Sequence, residues 1–538
     1  MTAAAFETVL LMFAVLAAVA VIAKRLNIAP SILLVVAGVW IALVPGLPPV
    51  TLAPELVLLV ILPPLIYSAG VAMSWREFRF NLRPITLLAF GCVVFTTCAV
   101  AVAAAAHYLL GFQWAAAFVL GAIVAPPDVV APLAIARRLG LPRRLVVVLE
   151  GEGLANDATA LILYRFAVAA VTTGMFSFGK ASGTFALIVV GEIAYGIGIG
   201  WLSLRLRRWA REPRVEITLS LMTPYLAFWV PEHLGGSGVL ATVACGLYVS
   251  WAGPRLIPSL TRLQGIFFWD LAIYLIEGLV FLLTGLQARA LIATAKSFPI
   301  YDLLLATAVV TLIVIAARFI WVFPATYIPR WVSPSLRERD PSPRWQGVFF
   351  LAYTGVRGVV SLAAALAIPL AVASGAPFPH RDEILFITFG VIVFTLVGQG
   401  LTLPFVARML GLTRLGQDER LHEAEAEIAA RQQALNVAMQ RLEKFATDSN
   451  LPRDAIEHLR TRHVHRLGQL PLDFADGLEQ RRITARLKKE LIDIERDYIY
   501  ELLRDGKITD EARRRIEYEL DLEEASLANR RETYGGWL

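Results

Sequence analysis

Charge is scarce in this chain. Asp, Glu, Lys and Arg make up 17% of its 538 residues, against 57% hydrophobic residues and a mean hydropathy of +0.62. A water-soluble protein of this size carries more charge, which excludes a soluble globular fold for most of the length. Cysteine is nearly missing. Cys92, Cys98 and Cys245 lie in apolar segments without the spacing of a metal site, and read as small core residues. No phosphate-cradling glycine loop of the Walker type occurs, so ATP-driven work has no support, and no filter-like repeat suggests a channel. Gly196, Gly198 and Gly200 read instead as points of close helix packing. No basic stretch precedes the first apolar run and no cleavage site follows it, so a retained helix is expected there. The net charge of +6 falls in short loops, which gives no reason to invoke nucleic acid.

What the chain has in abundance is long apolar stretches, recurring from residue 6 to about residue 410. They predict an all-α polytopic membrane protein. Thirteen helices are read, over 6–23, 30–45, 52–72, 85–109, 114–136, 143–172, 183–207, 214–231, 237–252, 264–288, 301–328, 345–371 and 382–410. One set of connecting loops holds Lys24, Arg25, Arg76, Arg79, Arg83, Arg137, Arg138, Arg143, Arg144, Arg205, Arg207, Arg208, Arg211, Arg214, Arg255, Arg262, Arg330, Arg337, Arg339 and Arg344. The alternate set holds Lys180, Arg289, Lys296 and Arg381. That is about 20 against 4, and it places the first set in the cytoplasm, the N-terminus outside and the C-terminus inside. Composition shifts at the end of the last span. The expected domains are 1–412, spanning the membrane, and 413–538, a charged helical cytoplasmic domain with helices over 418–447 and 478–528. Pro452 and Pro471 punctuate the stretch between. The run Arg462-His463-Val464-His465-Arg466 reads as a surface segment.

Two spans are interrupted. The fifth contains Ala125-Pro126-Pro127-Asp128 and the twelfth Thr354-Gly355-Val356-Arg357-Gly358. Proline removes backbone donors and glycine loosens a helix, and such backbone is tolerated at membrane depth only inside protein or against a water-filled cavity. The breaks lie seven spans apart and therefore run in opposite directions. That predicts an inverted repeat, helices one to six matching eight to thirteen, of the kind in which transporters place ion sites.

Between the breaks in sequence lies Glu150-Gly151-Glu152-Gly153-Leu154-Ala155-Asn156-Asp157, a polar cluster in an apolar helix. Intramembrane carboxylates are costly and mark ion or proton pathways. Glu152 and Asn156, four residues apart, share a helix face. Asp157 is the principal candidate for binding a cation or a proton: a dehydrated carboxylate favours its protonated form, and a bound cation restores its charge. Asp128 follows the double proline and either ligates the ion or neutralises the ends of the interrupted helix. Together Asp157, Asp128 and Asn156 form the expected cation site. Glu152 needs a buried positive partner. The candidates are Arg318 and Arg357, with a structural Glu152–Arg318 pair favoured and Arg357 countering half-helix C-terminal ends. Glu277 is mid-span, behind the site or at an interface. Arg165 is too far along the helix to touch Asp157, and is a vestibule or packing group. Glu150 and Glu192 are expected in a solvated funnel.

These residues carry a resemblance. Gly151-Glu152-Gly153-Leu154-Ala155-Asn156-Asp157-Ala158 resembles the Asn-Asp signature of sodium/proton antiporters of the NhaP and sodium/hydrogen exchanger type. Leu62-Pro63-Pro64-Leu65 and Gly355-Val356-Arg357-Gly358-Val359-Val360-Ser361-Leu362-Ala363 resemble two further motifs of that family, in the expected order. The resemblance implies a core domain with two crossed discontinuous helices that moves against a dimerisation domain, hence a homodimer in the plasma membrane. It implies Na+ (alternatively Li+ or K+) and H+ as substrates, no cofactor, no enzymatic activity and one-for-one electroneutral exchange at Asp157. A sodium-coupled symporter of an organic anion and a non-transporting sensor are the competing classes. The acids at the centre argue against the first, and no output motif supports the second. Three positions depart from the family pattern: Ser68 where many relatives have an acid, Gly153 where many have Ser, and Pro127 where many have Thr.

Overall fold

In hydrocarbon every backbone polar group must be satisfied within the chain, and a helix does this locally. The computed structural model describes residues 3–45, 52–105, 110–174, 178–295, 298–448, 453–468 and 478–535. Among them the chain is helical apart from loops and one isolated bridge, Ala371 to Pro377. Lys296, Pro452 and Pro471, and the side chain of Lys180, lie outside the described residues.

Helices stand at each of the thirteen predicted segments. They begin with α1 (Ala3–Leu26) and α2 (Pro30–Leu43), then a π-helical turn, Leu56–Ile61, leading into α3 (Leu62–Ala72). The short α4 (Trp75–Phe80) precedes α5 (Leu82–Thr86), which continues through a second π turn, Leu87–Cys92, into α6 (Val93–Ala105). The fifth segment is two pieces, α7 (Trp114–Val124) and α8 (Val130–Leu139). After it come α9 (Arg143–Thr173), α10 (Phe178–Ala210), α11 (Pro213–His233), α12 (Val239–Ala252), α13 (Ser259–Leu286), α14 (Ala288–Ala295), α15 (Ile300–Val332) and α16 (Pro334–Arg339). The twelfth segment is again divided, into α17 (Trp345–Tyr353) and α18 (Val359–Leu366). It stops five residues short of the predicted 371, where a turn over Ala371–Pro377 takes over. The last rod is α19 (Arg381–Val393), a third π turn, Phe394–Gln399, and α20 (Gly400–Met409). Seven of these rods are long and apolar enough to cross a membrane, and three shorter apolar ones accompany them.

Small residues let the rods approach. At the α2–α13 crossing a Cβ on Gly38 would stand 2.9 Å from the Cα of Gly285, so only glycine fits that contact. Gly196 and Gly200 of α10 pack in this way against α12. Gly198 does not: nothing lies within 4 Å of where its Cβ would be, because it faces away from α12. Cys92 and Cys245 are buried, whereas Cys98 is on an outward face.

Three of the six loops predicted to share one side meet. Asp340 binds Arg144 and Arg330 at 2.6 Å each and Arg83 at 3.6 Å. Arg143 pairs with Glu77 at 2.6 Å. These contacts join the loops after α3, α8 and α15. On the other side the His380 ring stacks on Phe112, with centroids 4.1 Å apart.

The chain divides into two compact units, Met1–Thr413 and Arg414–Leu538. The second contains most of α21 (Leu412–Asp448), then α22 (Arg453–Gly468), α23 (Leu478–Arg504) and α24 (Asp510–Gly535). α22 was not predicted: its sequence, Arg453 to Gly468, is polar on nearly every face and gives no periodic apolar signal. Arg460 of α22 pairs with Glu443 of α21 at 2.7 Å, and Arg496 of α23 binds Asp521 and Glu524 of α24 at 2.5 and 2.6 Å.

Candidate functional site

The site begins with two helix ends. Pro126 and Pro127 have no N–H, so α7 cannot continue and its last carbonyls lack partners within the helix. Arg357, in the other break, supplies them. Its Nε donates to the carbonyl of Val124 at 2.8 Å and its Nη2 to that of Ala125 at 3.1 Å. Its Nη1 donates to Gly355 within its own loop. The matching end of α17 is served by Arg318 of α15, whose Nε donates to the Leu351 carbonyl at 3.1 Å, beside the Thr354 hydroxyl at 2.9 Å. One arginine thus closes the C-terminal end of each first half-helix, where the backbone dipole is negative.

Arg318 does a second job. Its Nη1 and Nη2 reach Glu152 Oε1 and Oε2 at 2.5 and 2.8 Å, a bidentate pair with side chains 1% and 0% exposed. Glu152 therefore faces Arg318, and Arg357 makes no bond to a carboxylate among the described residues.

The two breaks are fastened directly to each other. The amide of Asp128 donates to the Val356 carbonyl at 2.7 Å, and the Arg357 amide donates to Thr395 Oγ1 at 3.0 Å. Thr395 sits in the π turn Phe394–Gln399, which swings its hydroxyl toward the break. The Asp128 carboxylate accepts from the Val130 amide at 2.9 Å, at the start of α8. It also lies against Gly358, the residue before α18. A Cβ on Gly358 would collide with that carboxylate, so only glycine allows the approach. Asp128 consequently lies at the N-terminal ends of both second half-helices, where the dipole is positive.

Asn156 and Asp157 come in from α9. The Asn156 amide donates from Nδ2 to the Pro127 carbonyl at 2.6 Å, and its Oδ1 accepts from the Asp157 amide at 2.7 Å. Asn156 is fully buried, while Asp157 is half-buried. Among the described residues no donor reaches the Asp157 carboxylate, and Asp128 is the charge that acts on it. The structure thus gathers Asp157, Asn156, Asp128, Pro126, Pro127, Gly355, Gly358, Arg357, Arg318 and Glu152 around one crossing.

The departures from the family pattern have physical counterparts. A side chain on Gly153 would strike Val129, so this position offers no hydroxyl. The Pro127 carbonyl is engaged by Asn156. The Ser68 hydroxyl is turned back on its own helix, onto the Leu65 carbonyl at 2.9 Å.

Four other acids and bases lie elsewhere. Glu277 is half-buried on α13, with Asp128 and Arg137 the charges acting on it. Arg165 binds Glu232 and the Gly236 carbonyl, which packs α9 against the end of α11. Glu150 pairs with Arg137 at 2.6 Å, near the surface. Glu192 departs from the expectation of a solvated funnel. It is 4% exposed and accepts from the amides of Ser237, Gly238 and Leu240 at 2.6, 3.2 and 3.2 Å, capping α12 from α10. Nothing in the sequence near Glu192 announces this, because the partner amides lie more than forty residues on. Thr395 was missed, and Thr354 was read only as part of the break; the role of each appears once the breaks meet.

The comparisons fit this geometry. Residues 11–409 match the model for the transmembrane sodium/hydrogen exchanger. An uncharacterized Na(+)/H(+) exchanger of Mycobacterium bovis is 34% identical over 516 residues, covering 94% of this chain and 93% of that protein. The low-affinity Na(+)/H(+) antiporter NhaS1 of a Synechocystis species is 32% identical over 520 residues, 93% of each. The sodium proton antiporter MjNhaP1 of Methanocaldococcus jannaschii shares the fold, with a TM-score of 0.60 at 18% identity over 76% of this chain and 98% of that one. With two antiparallel breaks meeting beside an Asn-Asp pair, in a chain that aligns with such exchangers along nearly its whole length, this protein belongs to the sodium/hydrogen exchanger family and is a cation/proton antiporter.

Proposed function

We propose that this chain exchanges one Na+ for one H+ across the plasma membrane, the two ions competing for Asp157, with Asp128 and Asn156 completing the site. The observation that carries this is the charge inventory at the crossing. Arg318 and Arg357 bring two fixed positive charges; Glu152, Asp128 and Asp157 bring three negative ones. Arg318 is committed to Glu152 and Arg357 to carbonyls, so one negative charge is left without a fixed partner. At this depth an uncompensated charge is prohibitive. A mobile cation or a proton must supply the missing unit, and a single unit supports one-for-one exchange without net charge transfer. Oxygen donors suit a hard alkali cation.

The finer topology belongs to the same reading. Thirteen crossings put the N-terminus outside and the 413–538 domain in the cytoplasm. The shared Asp340 contacts and the loop charge bias both support this. The functional unit is a homodimer, on the family resemblance, and the transported ions need no cofactor.

Potassium and lithium form a second reading. A sodium, potassium, lithium and rubidium/H(+) antiporter of Bacillus pumilus is 33% identical over 415 residues, 75% of this chain. The thinned hydroxyl ligands around Gly153 and Pro127 support the same breadth.

The test is transport in proteoliposomes with an imposed pH gradient. Sodium should collapse the gradient at a rate indifferent to membrane potential, and Asp157→Asn should abolish the response. A variant that collapses it at the parental rate would remove Asp157 from the mechanism. Running sodium, lithium and potassium side by side separates the two readings.

A further inference from the structure

On the outer side of α9 from the breaks, the membrane unit holds a cavity of about 770 Å³ whose lining is almost wholly apolar. One wall is α5, the following π turn and α9, which contributes Ala155 and Thr159. The other is α10 and α12, with Val189, Ile193, Ala244 and Leu247 facing inward. The Thr159 and Thr86 hydroxyls in the lining are turned onto their own helices, toward Ala155 and Leu82 carbonyls at 3.3 and 2.7 Å. Water or an ion would find no donor set there. The medium around these helices supplies long apolar chains instead.

One end of the cavity indicates how such a chain is oriented. Trp75 and Trp251 line that end and are 39% and 62% exposed, the amphipathic rings that occupy a membrane–water interface. Beside Trp75 on α4, Arg76 and Arg79 are exposed and make no ion pair among the described contacts. We propose that this groove binds an anionic bilayer phospholipid, one acyl chain running past Ala155 between α9 and α12 and the headgroup phosphate held by Arg76 and Arg79. The groove separates the helix that carries Asn156 and Asp157 from α10 and α12. Its occupant therefore contacts the helix that carries the ion site; any effect on exchange rests on the antiport reading proposed above, whereas the binding itself does not.

The experiment is photolabelling of the full chain in liposomes containing phosphatidylglycerol with a diazirine on one acyl chain, read by peptide mass spectrometry. Adducts should concentrate on 82–90 and 240–251 relative to the outward-facing Leu304 and Leu312 of α15, which are 56% and 68% exposed. Ala244→Trp and Val189→Trp, which fill the cavity from two different helices, should each deplete the groove adducts and leave those on α15 unchanged. The same probe on phosphatidylcholine should label the groove less. Groove adducts no richer than those on α15 in the parent chain would overturn the proposal, as would adducts that persist in both filled variants. Equal labelling by the two headgroups would overturn the role of Arg76 and Arg79. Transport is not read, so failure here is distinct from failure of the antiport reading.

Discussion

Arg357 is surrounded by carbonyl oxygens rather than by an acid, and this decides how it will respond to substitution. Its planar fork reaches Val124, Ala125 and Gly355 together, a geometry lysine cannot copy. Arg357→Lys should leave at least one of the α7 end carbonyls unsatisfied and cost about 1–3 kcal/mol, read as a lowered unfolding midpoint in detergent. Arg318 is different, because its loss strands Glu152. Arg318→Ala should destabilise by about 3–5 kcal/mol, while Glu152→Gln with Arg318→Met should recover much of that. A single variant and a double variant equal in stability would show that the pair is not buried as described. Gly358→Ala tests position rather than charge. The added methyl displaces the Asp128 carboxylate, so transport should fall sharply in a protein that still inserts and purifies. Glu277→Gln should leave the one-for-one stoichiometry intact, since among the described contacts no hydrogen bond or ion pair ties Glu277 to either break or to α9; a changed stoichiometry would add it to the exchanging groups.

At the scale of helices, much was legible and for a definite reason. Apolar runs and loop arginines report where the rods lie, and Pro126-Pro127 and Gly355–Gly358 report where two of them fail. The identity of the residue that caps each failure is tertiary information. Glu152 could face either arginine until α15 was seen to pass the end of α17, and Glu192 was misplaced because its partner amides belong to the start of α12. Apolar patterning likewise could not reveal α22, whose faces are nearly all polar apart from the buried Ile456. A substitution on α12's cap follows: Glu192→Ala removes three amide contacts and should cost about 1–3 kcal/mol, checked by thermal unfolding. In the C-terminal unit, the Arg496 guanidinium holds the Glu524 carboxyl below its ordinary value of 4.5. The folded hairpin of α23 and α24 thus favours the ionised acid. Its stabilisation is complete above the ordinary carboxylate range and is lost as pH falls below it. Amide exchange over 483–527, corrected for its intrinsic pH dependence, should accelerate in acid, and Arg496→Ala should flatten that response.

For the molecule as a whole, Asp340 gathers arginines from three loops that sequence assigns to one side. Arg330 among them is 4% exposed, so Asp340→Asn leaves a buried cation short of its partner and should cost more than an exposed pair would, about 1–3 kcal/mol. The bond from the Asp128 amide to the Val356 carbonyl has a wider consequence. Together with Arg357 reaching across to α7, it rivets the two severed rods at their middles. Neither can swing open alone without breaking a direct backbone contact. The two half-helix pairs accordingly form one brace, and a cross-link between 128 and 356 should leave the fold undisturbed.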